Sequence, residues 1–410
     1  MSSTPFTPET LPRRAALERL GMGIVALTVP GASADVASTT RAAADAARQL
    51  QTEAELSALL PLAGVPSLSL AQIVGGRVSS MALGAARAGE SDRVTPDTVY
   101  AAASLTKTVF AWVFLGFVQE GLVSLDRPVR DYLPLPNPDD ARSATITARH
   151  LLSHTGGWRN WRNTPAQLLT ADFEPGSRWS YSGEGFFFLQ RVLEKLTGKS
   201  IGVLMRERVF VPLGMTRSSM ASLAELEVNR AAGHDGRGGP AVVFGRPTML
   251  ALRQQMSERG LTAEAARVED VEQAMRSAEP TLPVLPNFLS PNAAASLLTT
   301  ASDFARFLRH MVTARARGGA DAAIVAQMMS PQIRCNARVQ WGLGVGLETV
   351  GSRTYAWQWG DNPGFKNYYF ADPIGETAMV VFTNGDRGAR IYERAIRALT
   401  SEDHPGFLWL

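Results

Sequence analysis

The chain reads as an α+β fold in which one antiparallel sheet is assembled from both chain ends, is flanked by helices, and has an all-helical lobe inserted between its halves. Three observations predict this. Two half-alternating runs, Ser67–Val74 and Arg77–Leu83, flank Gly75-Gly76 and spell a β-hairpin. Helical periodicity then prevails across 104–332. Strand-like runs return at 339–349, 353–359, 366–371 and 377–383, the last ended by Asn384-Gly385. A block of helices between two blocks of strands calls for one sheet of mixed origin with helices packed on it.

Taken in order, residues 1–34 have the layout of an export signal. Arg13-Arg14 precede a short apolar run from Leu20 to Val29, and Ala32-Ser33-Ala34 has the small residues of a cleavage site. The paired arginines point to the twin-arginine route, hence to a periplasmic or secreted protein. The run is too short for a permanent membrane span. Residues 35–60 are Ala-rich with helical spacing and read as a helix leading into a catalytic domain over 61–400. Its sheet lobe comprises 61–103 and 333–400, and its helical lobe 104–332. Within the helical lobe, 104–120 is a helix with Gly121 available as its stop, and 184–197 and 200–210 are two more. The stretch 225–290 reads as an insertion: a loop at 236–240, a helical pattern over 249–278, and Pro280, Pro283 and Pro286 closing it. A helix over 302–315 has Ser302 as N-cap, another spans about 387–400, and 401–410 is a C-terminal tail.

Composition excludes several classes. With 45% apolar and 19% charged residues the chain is an ordinary globular protein. One cysteine, Cys335, rules out an internal disulfide framework and any Cys-based metal cluster. The net charge is only +3 and no block of like charges occurs, so nucleic acid has no electrostatic footprint. No cofactor is implied, and nothing in the sequence defines an oligomeric state. Only four of the 41 basic residues are lysines (Lys107, Lys195, Lys199 and Lys366), which makes each lysine worth explaining.

Three segments carry chemistry. In Ala101-Ala-Ala-Ser104-Leu-Thr-Lys107, Ser104 stands where small residues give way to a helix, and Lys107 falls three residues later on the same face. A serine hydroxyl becomes a nucleophile when a neutral amine within reach accepts its proton. Burial would push that amine toward neutrality, and the helix start supplies N–H groups for an oxyanion. With 29 serines in the chain a chance Ser-x-x-Lys is not rare, so its weight comes from its companions. The second segment, Phe173–Glu184, places Tyr181 just before a helix; beside a lysine cation such a tyrosine can sit partly as phenolate and shuttle a proton. In the third, Trp357–Phe365, glycine lets a strand backbone approach a ligand closely.

These segments, in this order, resemble the serine β-lactamase and penicillin-binding-protein superfamily, and most fully its class C β-lactamase-like branch of esterases, D-aminopeptidases and DD-peptidases. Further matching stretches are Gly121-Leu-Val-Ser-Leu-Asp126-Arg-Pro-Val, Ile146-Thr-Ala-Arg-His150-Leu-Leu-Ser-His154-Thr-Gly, Glu174-Pro-Gly-Ser and Val211-Pro-Leu-Gly-Met215-Thr. The resemblance covers about 60–400 outside the insertion and implies a β-lactamase/DD-peptidase-like fold. It further implies Ser104 as nucleophile, Lys107 as its base and Tyr181 as the second-motif tyrosine. Gln358-Trp359-Gly360 would occupy the third motif, and the backbone N–H groups of Ser104 and Asp361 the oxyanion hole. His154-Thr155-Gly156 spells a third motif too early in the chain, and the likeness makes it a structural helix end. His150 and His154, four apart, lack the glutamate of a zinc motif, and no metal is expected.

Two departures bear on the substrate. Gln358 replaces a cation or histidine that helps hold a substrate carboxylate, and Gly183 replaces an asparagine that contacts the acyl side chain. A neutral hydrogen bond is about half as strong as a charge-assisted one. Arg353 or Lys366 would be the cations placed to compensate. The expected activity is therefore hydrolysis of a small-molecule amide (β-lactam or D-amino acid peptide) or ester through an acyl-enzyme on Ser104. The alternatives are a carboxylesterase with little β-lactamase activity, or a non-catalytic peptidoglycan- or partner-binding relative. The last would need Ser104, Lys107 or Tyr181 to be lost, and all three are present.

Overall fold

Gly75 and Gly76 both adopt positive φ (55° and 76°), the geometry a two-residue hairpin link requires. They join β1 (Ser67–Val74) to β2 (Arg77–Gly84), with Val74 paired to Arg77. The computed structural model describes residues 50–164, 166–241, 254–278 and 289–409. The export signal expected over 1–34, and the part of the expected 35–60 helix before residue 50, lie outside them. From Gln49 onward the chain is one contact unit.

Helix α1 (50–63) leads into β1. A two-stranded ribbon pairs β3 (Tyr100–Ala101) with β4 (Leu298–Thr299). The later strands are β5 (Ile333–Arg334), β6 (Val339–Trp341), β7 (Gly346–Val350), β8 (Arg353–Asn362), β9 (Phe365–Asp372) and β10 (Thr377–Thr383). The main sheet is antiparallel in the order β2-β1-β10-β9-β8-β7-β6-β5, so the first strand of the chain lies beside the last, with Leu70 opposite Val381. The helices between are α2 (Thr106–Gln119), α3 (Ala148–Leu152), α4 (Gly183–Thr197), α5 (Ile201–Met205), α6 (Ala224–Glu227), α7 (254–258), α8 (Val268–Ala278), α9 (Ala301–Val312), α10 (Ala314–Arg317) and α11 (Gly319–Met328). After the sheet come α12 (Gly388–Thr400) and α13 (Gly406–Trp409).

Strand alternation distributes the core over two faces. Leu68, Leu70, Met379 and Val381 meet Leu56 and Leu60 of α1 and Ile391 and Ile396 of α12 on one side. Ala71, Ile73, Val380 and Phe382 meet α2 and α9 on the other. Covered on both faces, the central strands read as apolar runs. Helix α2 is apolar on nearly all sides and buried accordingly, which is what a helix through the middle of a domain looks like.

Several expectations change. The run 339–349 is two strands, because Gly342–Gly344 turns back between β6 and β7; Gly344 has φ 78° and lies against Ala111 of α2, where a side chain would not fit. The cap of α9 is Thr300, whose side chain accepts from Asp303 N, while Ser302 bonds the Pro96 carbonyl. The helical pattern over 249–278 is broken at Gly260 (φ 68°), leaving α7 and α8 around a small core of Met256, Val271, Ala274 and Leu289. Glu194 anchors this insertion on α4, accepting from Val268 N at 2.9 Å and Ile201 N at 3.0 Å. Finally, within the expected 401–410 tail the described residues 401–409 are tied to the fold: His404 is fully buried against Glu348, and α13 packs on the sheet.

Candidate active site

Ser104 sits in the 3-10 turn Ala103–Leu105 that opens into α2. The residue before it, Ala103, has φ 51°, a left-handed conformation that a non-glycine residue holds only when its surroundings impose it. The turn thereby projects Ser104 to the surface of the core, 8% exposed, at the start of a helix whose body is buried.

Lys107 follows one turn later and is 1% exposed. Its Nζ lies 3.2 Å from Ser104 Oγ and donates to the Ala294 carbonyl at 2.8 Å. The ammonium position also stands 4.7 Å from the centre of the Tyr181 ring and 5.5 Å from that of Phe186. No salt-bridge partner for it occurs among the described residues, and burial alone holds its pKa well below the ordinary lysine range.

Tyr181 is brought in by the segment ahead of α4, whose N-cap is Ser182. Its hydroxyl is hydrogen-bonded to Ser104 and to Gln358, the latter through Nε2 at 3.2 Å. Burial raises its pKa far above the ordinary phenol value, opposed by those two hydrogen bonds and reinforced by the Asp361 charge. The phenolate expected beside a lysine cation is thus not what these surroundings favour: burial drives both groups toward their neutral forms.

The third-motif strand is β8. Gly360 explains how close it comes, since a Cβ there would stand 2.5 Å from the Ala102 carbonyl and 3.0 Å from Leu105. The backbone at 360–361 consequently runs beside the turn carrying Ser104, as an oxyanion hole from Ser104 and Asp361 requires. Gln358 does not face the cleft. It is fully buried, and its amide donates to Tyr181 and to the Trp359 carbonyl, both at 3.2 Å. Both donors of that amide nitrogen thus have partners inside the protein. At Gly183 the N–H donates to Asn160 Oδ1 at 2.8 Å, and a side chain there would overlap the Trp161 ring.

Neither proposed compensating cation is free. Lys366 Nζ is held by Asp361 at 2.7 Å and Asp386 at 3.1 Å. Arg353 is paired with Glu402 and with Asp372, at the far end of β8. The two histidines are also occupied. His150 Nδ1 accepts from Thr147 N in a capping box. His154 ends α3 with φ 57°, accepts from Ser182 N at 3.1 Å and lays its ring 4.3 Å from Tyr181. Burial, and then the Lys107 charge, depress its pKa well below the usual imidazole value. Sequence reasoning treated His154 as a helix end only. Its place against Tyr181, the Ala294 carbonyl on Lys107 and Trp161 over Gly183 come from contacts between distant segments that no local pattern encodes. The insertion also reaches the site's neighbourhood, where Met256, Val271 and Leu289 line a cavity of about 250 Å³ together with Ala295 and Asn362.

The site thus brings together a hydroxyl, a desolvated amine and a buried phenol, on a sheet closed by strands from both halves of the described chain. The protein's family follows from comparison with known proteins. The Beta-lactamase family model matches residues 34–402, and the chain belongs to that family. Among curated relatives it is 32% identical over 190 residues to "Penicillin-binding protein 4" of Amycolatopsis lactamdurans, covering 43% of this chain and 50% of that protein. It is 31% identical over 173 residues to "Esterase EstB" of Burkholderia gladioli, covering 35% and 44%. The matched stretches thus span half or less of those relatives. In fold it is similar to the β-lactamase/D-alanine carboxypeptidase from Pseudomonas syringae, with a TM-score of 0.66 at 14% identity over 86% of this chain and 99% of that one.

Proposed function

We propose that this protein is an esterase that cleaves neutral carboxylic esters through an acyl-enzyme on Ser104. The observation that carries the reading is the state of Lys366: this cation, paired across from Asp361 on the neighbouring strand, is already held by two carboxylates, so a substrate carboxylate there would meet Asp361 and Asp386 with no charge of Lys366 left over to bind it. Gln358, which could have offered a neutral donor, is turned into the protein. β-Lactams and D-amino acid peptides carry that carboxylate; simple esters do not.

In the reaction the Ser104 hydroxyl adds to the ester carbonyl while its proton passes to the neutral Lys107 amine, 3.2 Å away. The N–H groups of Ser104 and Asp361 take the negative charge of the tetrahedral intermediate. Collapse breaks the bond to the alcohol, which leaves with the proton from Lys107, relayed through the Tyr181 phenol. Water then adds to the acyl-serine, giving its proton to Lys107, and the carboxylic acid departs as Ser104 is reprotonated. His154 and Gln358 fix the phenol within reach of Ser104.

Purified protein run on 4-nitrophenyl acetate, nitrocefin and a D-Ala-D-Ala peptide tests this. The expected result is a kcat/KM on the ester that exceeds nitrocefin turnover by about a hundredfold, the scale of losing a charge-assisted contact in a desolvated site. Fluorophosphonate labelling should vanish in Ser104→Ala. Efficient nitrocefin or peptide hydrolysis would overturn the ester reading, and labelling that survives in Ser104→Ala would move the nucleophile elsewhere.

A further inference from the structure

Beside the oxyanion strand lies a cleft of about 470 Å³ walled by Trp179, Trp359, Tyr392, Phe407 and Trp409, within the size range of small-molecule sites. It borders the candidate reaction centre through the strand β8. Gly360 and Asp361 form part of its wall, and the Trp359 ring stands 4.9 Å from Tyr181, which bonds Ser104. We propose that this cleft is the subsite for a neutral aromatic group of the substrate, with Trp409 as a specificity-determining residue; the assignment rests on the ester reading above and deepens it.

Three features support it. The walls are aromatic and set at steep angles: Trp359 and Trp409 meet at 83° with centroids 6.4 Å apart, and Trp179 and Trp409 at 56° and 4.6 Å. A guest ring would therefore find an indole face on one side and an indole edge on another, the two arrangements aromatic quadrupoles favour. The charged groups at the cleft have partners inside the protein. Asp361 and Lys366 hold each other at 2.7 Å, and Glu393 lies 3.8 Å from Arg397. Lys366 is also shared with Asp386 at 3.1 Å, so an anionic guest finds no free cation in this lining. Lastly, Trp409 is held in place. Helix α13 is tied to the sheet by Gly406 N donating to Glu348 Oε2 at 2.7 Å, and Arg397 stacks over Phe407 at 5.7 Å. A wall fixed before the ligand arrives loses little entropy on binding, and so discriminates well.

The test uses the full chain in two arms. In the first, kcat/KM is measured for 2-naphthyl acetate, which carries the ring on its alcohol, methyl 2-naphthoate, which carries it on its acid, and ethyl acetate. Comparing each aryl-to-ethyl ratio between wild type, Trp409→Phe and Trp409→Ala cancels the esters' intrinsic reactivities. One aryl ratio should fall about tenfold or more in Trp409→Ala, carried by KM, and less in Trp409→Phe, as loss of one aromatic wall implies. Ratios that stay unchanged in both variants would overturn the proposal. In the second arm, Ser104→Ala protein is titrated calorimetrically with methyl 2-naphthyl ketone, a neutral mimic that cannot be hydrolysed. Binding that weakens when Trp409→Ala is added supports the subsite, even were ester turnover to fail and the hydrolase reading with it. Ketone binding indifferent to Trp409, with ester turnover intact, would remove the subsite alone. Tighter binding of 2-naphthyltrimethylammonium than of the ketone would overturn the neutral-guest assignment.

Discussion

In the proposed reaction Lys107 is the base, and its amine is buried with a hydroxyl and a carbonyl for company and no salt-bridge partner among the described residues. Desolvation penalises its charged form, so the base that Ser104 needs is available without a high pH. Two consequences can be measured. Since the neutral amine is the active form, kcat/KM on a small neutral ester should rise as pH climbs through the depressed Lys107 pKa and then level off. Lys107→Met should lose about three orders of magnitude, the scale of an activating base. The second consequence concerns stability. Between its depressed folded value and about 10.4 in the unfolded chain, Lys107 binds more protons when unfolded, so it makes stability rise with pH across that window and fall as pH drops toward the folded value. The urea midpoint of wild type should therefore gain on that of Lys107→Met from pH 7 to 9, below the range where Tyr181 would ionise in the unfolded chain. Parallel midpoints would mean that the amine titrates as if solvated.

At the scale of elements, the site exists because β8 and the turn before α2 come within backbone contact, and Gly360 is what permits it. Gly360→Ala would set a methyl group 2.5 Å from the Ala102 carbonyl, so strand and turn must separate. Overpacking of this kind destabilises by about 1–3 kcal/mol. The larger effect should be on catalysis: a displacement near 1 Å between nucleophile and oxyanion donors lowers kcat by about a hundredfold. A kcat within a few-fold of wild type would show that this approach is not needed. The same contact marks how far the sequence could be read. Ser104, Lys107, Tyr181 and the Gly360 strand were legible, because a helix start, a Pro-Gly turn and strand alternation are local signals. The roles of Gln358 and Gly183 were not. Whether a glutamine faces a cleft or a tyrosine depends on a partner 177 residues away. Gly183 was read as a lost asparagine, whereas Trp161 fills its place. The split at Gly342–Gly344 escaped for a similar reason: Gly344 answers to Ala111 of α2 and Gly342 to the Met328 carbonyl at the end of α11, both distant in sequence.

At the scale of the molecule, the chain closes on itself twice. Strand β1 is locked beside β10, and residues 401–409 return to the sheet through a buried pair, His404 Nδ1 to Glu348 Oε1 at 2.6 Å, with both side chains inaccessible to solvent. Glu348 also accepts from Gly406 N at 2.7 Å and from the Tyr368 hydroxyl at 3.4 Å. The pattern reading of 401–410 as a tail missed this, because ten residues broken by Pro405-Gly406 carry no periodic signal, and one histidine among them reveals nothing about its distant carboxylate. The pair makes the C-terminal segment part of the fold's stability. Removing one partner of a buried ion or hydrogen-bonded pair leaves the other desolvated and uncompensated, at about 3–5 kcal/mol. His404→Ala should therefore lower the unfolding free energy by that amount, read as a lower urea midpoint at an unchanged m-value. The double replacement His404→Leu with Glu348→Met, which removes both polar groups and keeps apolar volume, should recover much of the loss, since a buried pair is often matched by well-packed apolar residues. If His404→Ala unfolds at the wild-type midpoint, the segment beyond α12 is stabilised by its aromatic contacts alone, Phe407 on Tyr368 at 4.9 Å foremost among them.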